Sequence, residues 1–287
     1  MDSLLSQLIN GIAYAMLLFV MSAGLSLIFG LMNVVNLSHG SFFMLGAYFA
    51  MTLLAWSGNF WLAVFLAPLP AIALGVIIER VFLRSLYARG HLDQVLLTFG
   101  FTFVFADAVR WMWGSSIRDL PVPQLLDGTV QFAGLIVPQY RLFIIALGFA
   151  TALVLAVFLE RSRIGAMVRA SVDDAFTAAG LGINVQLLFA SMFAVGVGLA
   201  ALGGAFAAPI LGVHAGLDIE ILIPAFIVVV VGGMGSLRGA FVASLLVGVV
   251  DTLGKTYFPA FALFLIYLLM IAVLLIRPHG LFGIARS

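Results

Sequence analysis

Nine apolar stretches, near residues 8–29, 38–56, 60–78, 95–113, 141–159, 186–208, 220–233, 239–253 and 258–276, follow one another with little between them. A helix needs about 20 apolar residues to cross a hydrocarbon core ~30 Å thick. Runs of that length, repeated along the whole chain, restrict it to a polytopic bundle of membrane helices. A transmembrane barrel would show short segments of alternating polarity, and none is present. The hydrophobic fraction of 64% agrees, since soluble domains hold about 45–50%. The expected fold is therefore all-α, with about eight to nine membrane segments. Residues 1–287 form one transmembrane domain, because the spans leave no room for a soluble one. Two stretches are short: at ~1.5 Å per residue, 220–233 reaches only about 21 Å. A hairpin near 220–253, either spanning or re-entrant, is expected there.

Positive charge orients the bundle. If the segments alternate, Arg80, Arg84, Arg89, Arg161, Arg163, Arg169, Arg238, Arg277 and Arg286 fall on one side. Arg110, Arg118, Arg141 and Lys255 fall on the other. The first set marks the cytoplasm, which puts the N-terminus outside and the C-terminus inside. The opening MDSLLSQLING has Asp2 as its first charge, so it reads as a retained first span rather than a cleaved signal. The net charge of +1 argues neither for nor against nucleic acid, and none is expected as a partner; membrane lipid is. With no cysteine there is no disulfide and no thiolate site.

Polar residues interrupt the apolar pattern in three places. The first is GLMNVVNLSHG, Gly30 to Gly40, which holds Asn33, Asn36, Ser38 and His39 but no charge. Irregular backbone within a membrane is tolerated only inside protein or beside a water-filled cavity. Neutral donors and acceptors there suit a pathway or gate for a small polar solute. The plainer reading has Asn33 and Asn36 capping helix ends while His39 makes one structural hydrogen bond, and both can hold at once. The second is VGGMGSLRG, where Gly232, Gly233 and Gly235 admit a tight turn before Ser236. HGSFFMLGA and RGAFVASLLVG echo each other after these two interruptions, and transporters often build their site from broken helices at corresponding places. The third is RASVDDAFTAAGLGINV, Arg169 to Val185. Ser171 or Asp173 could cap a short amphipathic helix there, and Gly180 and Gly182 could end it.

The spacing Arg169, Asp174, Ala178, Gly182 resembles the cytoplasmic loop of the LivH-type permeases, the membrane subunits of branched-chain amino-acid ABC importers. Gly24–Tyr48, Val228–Gly248 and RPHGLFG (Arg277–Gly283) resemble three further signatures of that family, in the same order. Relative to the broader importer loop, Asp174 replaces a glutamate and Phe176 an alanine. The resemblance implies a permease domain that hydrolyses nothing and binds no cofactor or metal, with ATP consumed by partner subunits. It implies a second homologous permease chain in a heterodimer, two cytoplasmic ATPases, and a periplasmic solute-binding protein, in a bacterial inner membrane. Arg169, Asp173, Asp174, Ala178 and Gly182 would form the ATPase-coupling helix, with small Ala178 allowing close approach. Asn33, Asn36, Ser38, His39, Gly40, Gly232, Gly233, Gly235 and Ser236 would form the translocation pathway or gate. Urea, short amides or aromatic acids are alternative solutes. An ion-driven carrier acting alone is the alternative from another class, although it would have no use for an ATPase-docking loop.

Three lesser features complete the sequence. DTLGKTY lacks the glycine that a phosphate-binding loop needs four residues before Gly-Lys-Thr. Asp107 and Arg110, three apart, suit an ion pair on one helical face. Asp218 and Glu220, at the outer start of the seventh segment, could favour a helix N-terminus or meet a binding protein.

Overall fold

The computed structural model describes residues 2–87, 89–132 and 135–283. Arg286, counted above with the positive charges, lies outside them. In chain order the helices are α1 (Asp2–Met32), α2 (His39–Ser57), α3 (Phe60–Leu66), α4 (Pro68–Val81) and α5 (His91–Trp113), then α6 (Gln139–Arg161), α7 (Arg163–Asp173), α8 (Ala175–Gly180) and α9 (Val185–Leu211), and last α10 (Leu217–Gly232), α11 (Leu237–Tyr257) and α12 (Ala262–Ile276). Among the described residues seven spans are long and apolar enough to cross a membrane: α1, α2, α3 with α4, α5, α6, α9 and α11. All nine apolar stretches are helical, but α10 and α12, at 16 and 15 residues, are shorter.

Two details differ from the sequence reading. The stretch 239–253 is not a short leg: α11 has 21 residues, about 32 Å at ~1.5 Å each. Its ends carry Arg238, Lys255 and Tyr257, which an apolar scan cuts off. Among the described residues there is also one antiparallel strand pair, β1 (Thr129–Phe132) with β2 (Leu135–Pro138), between α5 and α6. Four-residue strands leave too little alternation to be read.

Burial places α1 at the centre. Within its apolar window 89% of residues are buried inside the chain, against 17% for α6, so α6 turns most of its surface outward. Lipid tails are as apolar as leucine, so close packing rather than escape from water must hold such helices together. Small residues provide it. A Cβ on Gly24 of α1 would stand 2.5 Å from the Gly196 carbonyl oxygen of α9. A Cβ on Gly248 of α11 would lie 2.6 Å from Ala15 Cα. The α10–α11 hairpin is equally tight, with Gly232 and Gly239 backbone against backbone.

Candidate functional site

The first interruption goes deeper into the bundle than a surface turn. Helix α1 ends with Asn33 in the left-handed region, at φ 52°, its N–H donating to Phe29 O at 2.9 Å. Asparagine is one of the few residues that tolerates such a cap. Residues 33–36 are then irregular, and α2 begins only at His39. The His39 ring, wholly buried, places Nε2 3.1 Å from Met21 O. Met21 lies about 16 Å before the end of α1 at ~1.5 Å per residue. The segment therefore climbs inside the protein, and α2 starts part-way through the bundle instead of at its edge. Its backbone is satisfied by α5: Thr98 Oγ1 accepts from Leu37 N–H at 3.2 Å. Ser38 Oγ donates to Asn36 Oδ1 at 2.7 Å, and His39 N–H to Asn36 O at 3.3 Å. Asn33 thus caps the end of α1 and His39 makes one bond, whereas Asn36 does not cap: the N-cap position of α2 is Ser38, without a side-chain cap bond.

The second interruption is a turn between α10 and α11. Gly233 and Gly235 adopt φ 98° and 83°, and Ser236 caps α11 by accepting from Gly239 N–H at 3.1 Å. The two interruptions touch, but only at their rims: a Cβ on Gly30 would sit 2.7 Å from Gly235 Cα. Asn36, Ser38, His39 and Gly40 lie away from the glycine turn. They meet the start of α10 instead, where Ser41 Oγ donates to Asp218 Oδ2 at 3.3 Å and Gly40 abuts the Asp218 backbone. Asp218 is 1% exposed, which removes it as a contact for a soluble partner. Sequence reasoning missed it because a carboxylate at a helix start reads as a surface cap. Glu220 stays exposed, 3.5 Å from His214 Nε2.

The segment RPHGLFG closes over the glycine turn. Leu281 N–H donates to Val231 O at 2.8 Å and Phe282 N–H to Gly232 O at 3.0 Å. These bonds satisfy carbonyls that the end of α10 leaves without helical partners. Beside the turn, a cavity of about 460 Å³ is lined by Ser26, Gly30, Glu160, Arg169, Gly235 and Arg238 among others. It joins the glycine turn to the third interruption.

That third region is not one helix. Helix α7 starts earlier than expected, capped by Ser162 Oγ accepting from Gly165 N–H at 2.9 Å. It ends at Asp173, and the chain turns extended at Asp174 (φ −154°, ψ 101°) before α8. The cap between them is Asp174, neither Ser171 nor Asp173. Its Oδ1 accepts from Phe176 N–H at 2.9 Å and Thr177 N–H at 3.1 Å, and the Thr177 hydroxyl donates to Oδ2. Gly182, at φ 90°, follows the end of α8. Arg169 donates to Leu159 O, tying α7 to the end of α6. Ala178 is 2% exposed: it faces this chain's own core, so its smallness serves internal packing. The outward side carries Phe176 and Leu181, 90% and 78% exposed. Two large apolar side chains in a polar connection are a readable signal of a contact surface, beyond Phe176 being a departure from the importer-loop pattern.

The Thr177 hydroxyl bond, then the Thr177 and Phe176 amides, hold the Asp174 carboxyl below its ordinary 3.8. A carboxylate depressed in the folded state stabilises above its unfolded pKa and loses that contribution as pH falls through the folded value. The expected result is full protection of the Phe176 and Thr177 amides against hydrogen exchange at neutral pH, lost only below the usual aspartate range. Asp174→Ala removes both the protection and its pH dependence.

The remaining sequence expectation, the Asp107–Arg110 pair, forms at 3.0 Å with both side chains largely exposed. Such a pair contributes about 0–1 kcal/mol.

A family model described as branched-chain amino acid transport system, permease component, matches residues 7–274. The permease protein BraD of a high-affinity branched-chain amino acid transport system in Pseudomonas aeruginosa is 31% identical over 295 residues, covering 97% of this chain and 95% of the relative. LivH of Escherichia coli strain K12, named as a permease protein of the same kind of system, is 28% identical over 302 residues, with 97% and 95% covered. LivM of that strain, also named as such a permease protein, is 26% identical over 296 residues, with 94% of this chain and 69% of the relative covered. No solved structure matches this chain.

Proposed function

The chain belongs to the family of branched-chain amino acid transport system permease components, and on that premise we propose that it forms half of the membrane pathway of an ATP-driven importer for branched-chain or other hydrophobic amino acids. The observation that carries this reading is the family match over residues 7–274. The chain catalyses nothing and binds no cofactor; ATP is hydrolysed by two cytoplasmic partner subunits. A periplasmic binding protein delivers solute. The second permease chain is a homologue, a pairing supported by strain K12 having two relatives, LivH and LivM, that are both named permease proteins. The membrane is a bacterial inner membrane. The bias of arginines towards one side puts the N-terminus in the periplasm and the C-terminus in the cytoplasm.

Within this reading the end of the bundle bearing α7 and α8 faces the ATPase. Phe176 and Leu181 provide the apolar contact, Asp174 holds the tip in shape, and Arg169 links it to α6. Motion of the tip reaches the pathway through α7, whose Arg169 lines the same cavity as Gly235, because a rigid element must carry work across the interface. Asn33, Asn36, Ser38, His39 and Gly40 on one side, and Gly232, Gly233, Gly235 and Ser236 on the other, act as pathway or gate.

Reconstitution in proteoliposomes with a homologous permease partner, the ATPases and the binding protein tests the proposal. Uptake of radiolabelled leucine that requires internal or external ATP on the ATPase side is the expected result. Uptake that persists without ATP, or that follows an ion gradient with the ATPases omitted, would overturn it.

A further inference from the structure

The end of the bundle opposite α7 and α8 holds a cavity of about 230 Å³ between the starts of α1 and α6 and the ends of α9 and α11. Its walls carry Asn10 and Tyr14 from α1, Arg141 from α6, and Asp251 and Lys255 from α11. Contacts join these five residues in series. Arg141 donates to Asn10 Oδ1. Asn10 and Tyr14, four apart, share a helical face. Lys255 Nζ sits 5.4 Å from the centroid of the Tyr14 ring and 2.7 Å from Asp251 Oδ2. Helix α11 comes this close to α1 because Gly11 has no side chain: a Cβ there would stand 3.1 Å from Val249 Cα.

Arginine, lysine and tyrosine near helix ends serve as ordinary interfacial anchors, but anchoring needs no buried acid. Asp251 is 3% exposed. Burying an ion pair costs several kcal/mol per ion and is a poor source of stability, whereas ionisable groups inside a membrane bundle mark solute pathways. The charges also have capacity to spare. A guanidinium offers five N–H donors and a carboxylate about four acceptor positions. The bonds to Asn10 and Lys255 use one of each.

We propose that this cavity is an entry site for a zwitterionic amino acid with an apolar side chain. Arg141 and Lys255 receive its carboxylate, Asp251 its ammonium group, and Leu17 and Leu211, which also line the cavity, its side chain. The inference rests on the reading of the chain as an amino-acid permease subunit, and adds to it the place where solute first meets fixed charge. Opposite charges in one small cavity match a zwitterion; urea or a short amide would leave both unmatched. The volume lies below the roughly 300–1,000 Å³ of pockets for drug-sized ligands, which suits a molecule as small as an amino acid. In the orientation given above, this end faces the periplasm, where the binding protein releases solute.

Lys255 is the only lysine in the sequence, so ¹³Cε-lysine in this chain gives a single resonance inside the site. The test titrates leucine into the complex of permeases and ATPases in nanodiscs, with this chain alone labelled. Leucine is expected to shift that resonance saturably. Isoamylamine, which lacks the carboxylate, and 4-methylpentanoate, which lacks the ammonium group, are each expected to need about tenfold or more higher concentration, the size of losing a hydrogen bond to a charged group. No shift with leucine, or the same titration with all three, would overturn the proposal. The unaltered protein suffices for this readout, so it stands even if a variant fails to assemble. In proteoliposomes with the binding protein, Arg141→Gln is expected to lower uptake of tritiated leucine about tenfold or more. Arg110→Gln, in the exposed pair with Asp107 outside the cavity, is expected to keep it within about threefold of wild type. Loss of uptake by Arg141→Gln together with loss of binding-protein capture would assign Arg141 to protein docking and overturn the proposal. Wild type that takes up no leucine with ATP would overturn the permease reading itself. Uptake that survives Arg141→Gln overturns this inference alone.

Discussion

Gly204→Val is expected to leave almost no folded protein after detergent extraction, and Gly46→Val to behave alike. Helices α2 and α9 cross backbone against backbone: a Cβ on Gly204 would fall on the Phe43 carbonyl, and a Cβ on Gly46 on the backbone of Ala201. Overpacking a core costs about 1–3 kcal/mol when side chains can rotate away. Here the obstacle is backbone, so relief requires separating two whole helices. Separation would also pull α2 from Phe105 and Phe193, whose rings lie 5.5 Å and 6.4 Å from that of Phe42. A cost above ~3 kcal/mol is a large part of the roughly 5–15 kcal/mol that keeps a domain folded. Gly100→Val is the control, since a Cβ there meets nothing within 4 Å. Gel filtration and thermal melting of the extracted proteins decide the matter. Gly204→Val melting at the wild-type temperature would mean that α2 and α9 do not cross backbone against backbone.

The contrast between those glycines shows what the sequence carried and what it did not. Gly46, Gly100 and Gly204 all sit in apolar runs and look alike in the chain. Only the partner helix separates a forced glycine from an idle one. Helices themselves were legible, because a run such as 186–208 must span and must satisfy its own backbone. The interruption at Asn33–Ser38 was legible for the same reason. Its depth was not, because the bonds that hold it come from Thr98, about sixty residues away. Asp218 stayed hidden for a related reason. Flanked by Leu217 and Ile219 it sits in apolar sequence, yet a carboxylate is so seldom buried that the surface reading prevailed. In the third region, composition revealed a polar connection with a helix, but Ser171 and Asp173 were its candidate caps, and the cap that forms is Asp174. The inward turn of Ala178 could not be read without knowing that α8 folds back towards α9.

That inward turn decides how the ATPase contact must be tested. Ala178→Trp would fail to dock for a trivial reason, since it overfills the chain's own core. Phe176→Asp combined with Leu181→Asp changes only side chains that are already exposed. The double variant is therefore expected to fold, to extract as a monodisperse protein, and to lose the ATPases. Burying a Phe or Leu side chain contributes about 1.5–3 kcal/mol, so two such anchors account for a factor of roughly a hundred or more in affinity. The introduced carboxylates make the loss worse by bringing unpaired charge into an apolar interface. ATP-driven leucine uptake should fall with it, by about tenfold or more at subunit concentrations near the wild-type affinity. Asp173→Ala, at an exposed position outside the Asp174 cap, should keep both. An apolar tip at a membrane surface has another possible neighbour, the lipid itself. In that case the double variant would retain its ATPases, yet release α8 from the bilayer, and a quenching label placed at exposed Ala179 would report water in place of lipid. ATPases still bound to the Phe176→Asp, Leu181→Asp protein would thus remove α8 from the coupling interface, while their loss with the fold intact would fix it there.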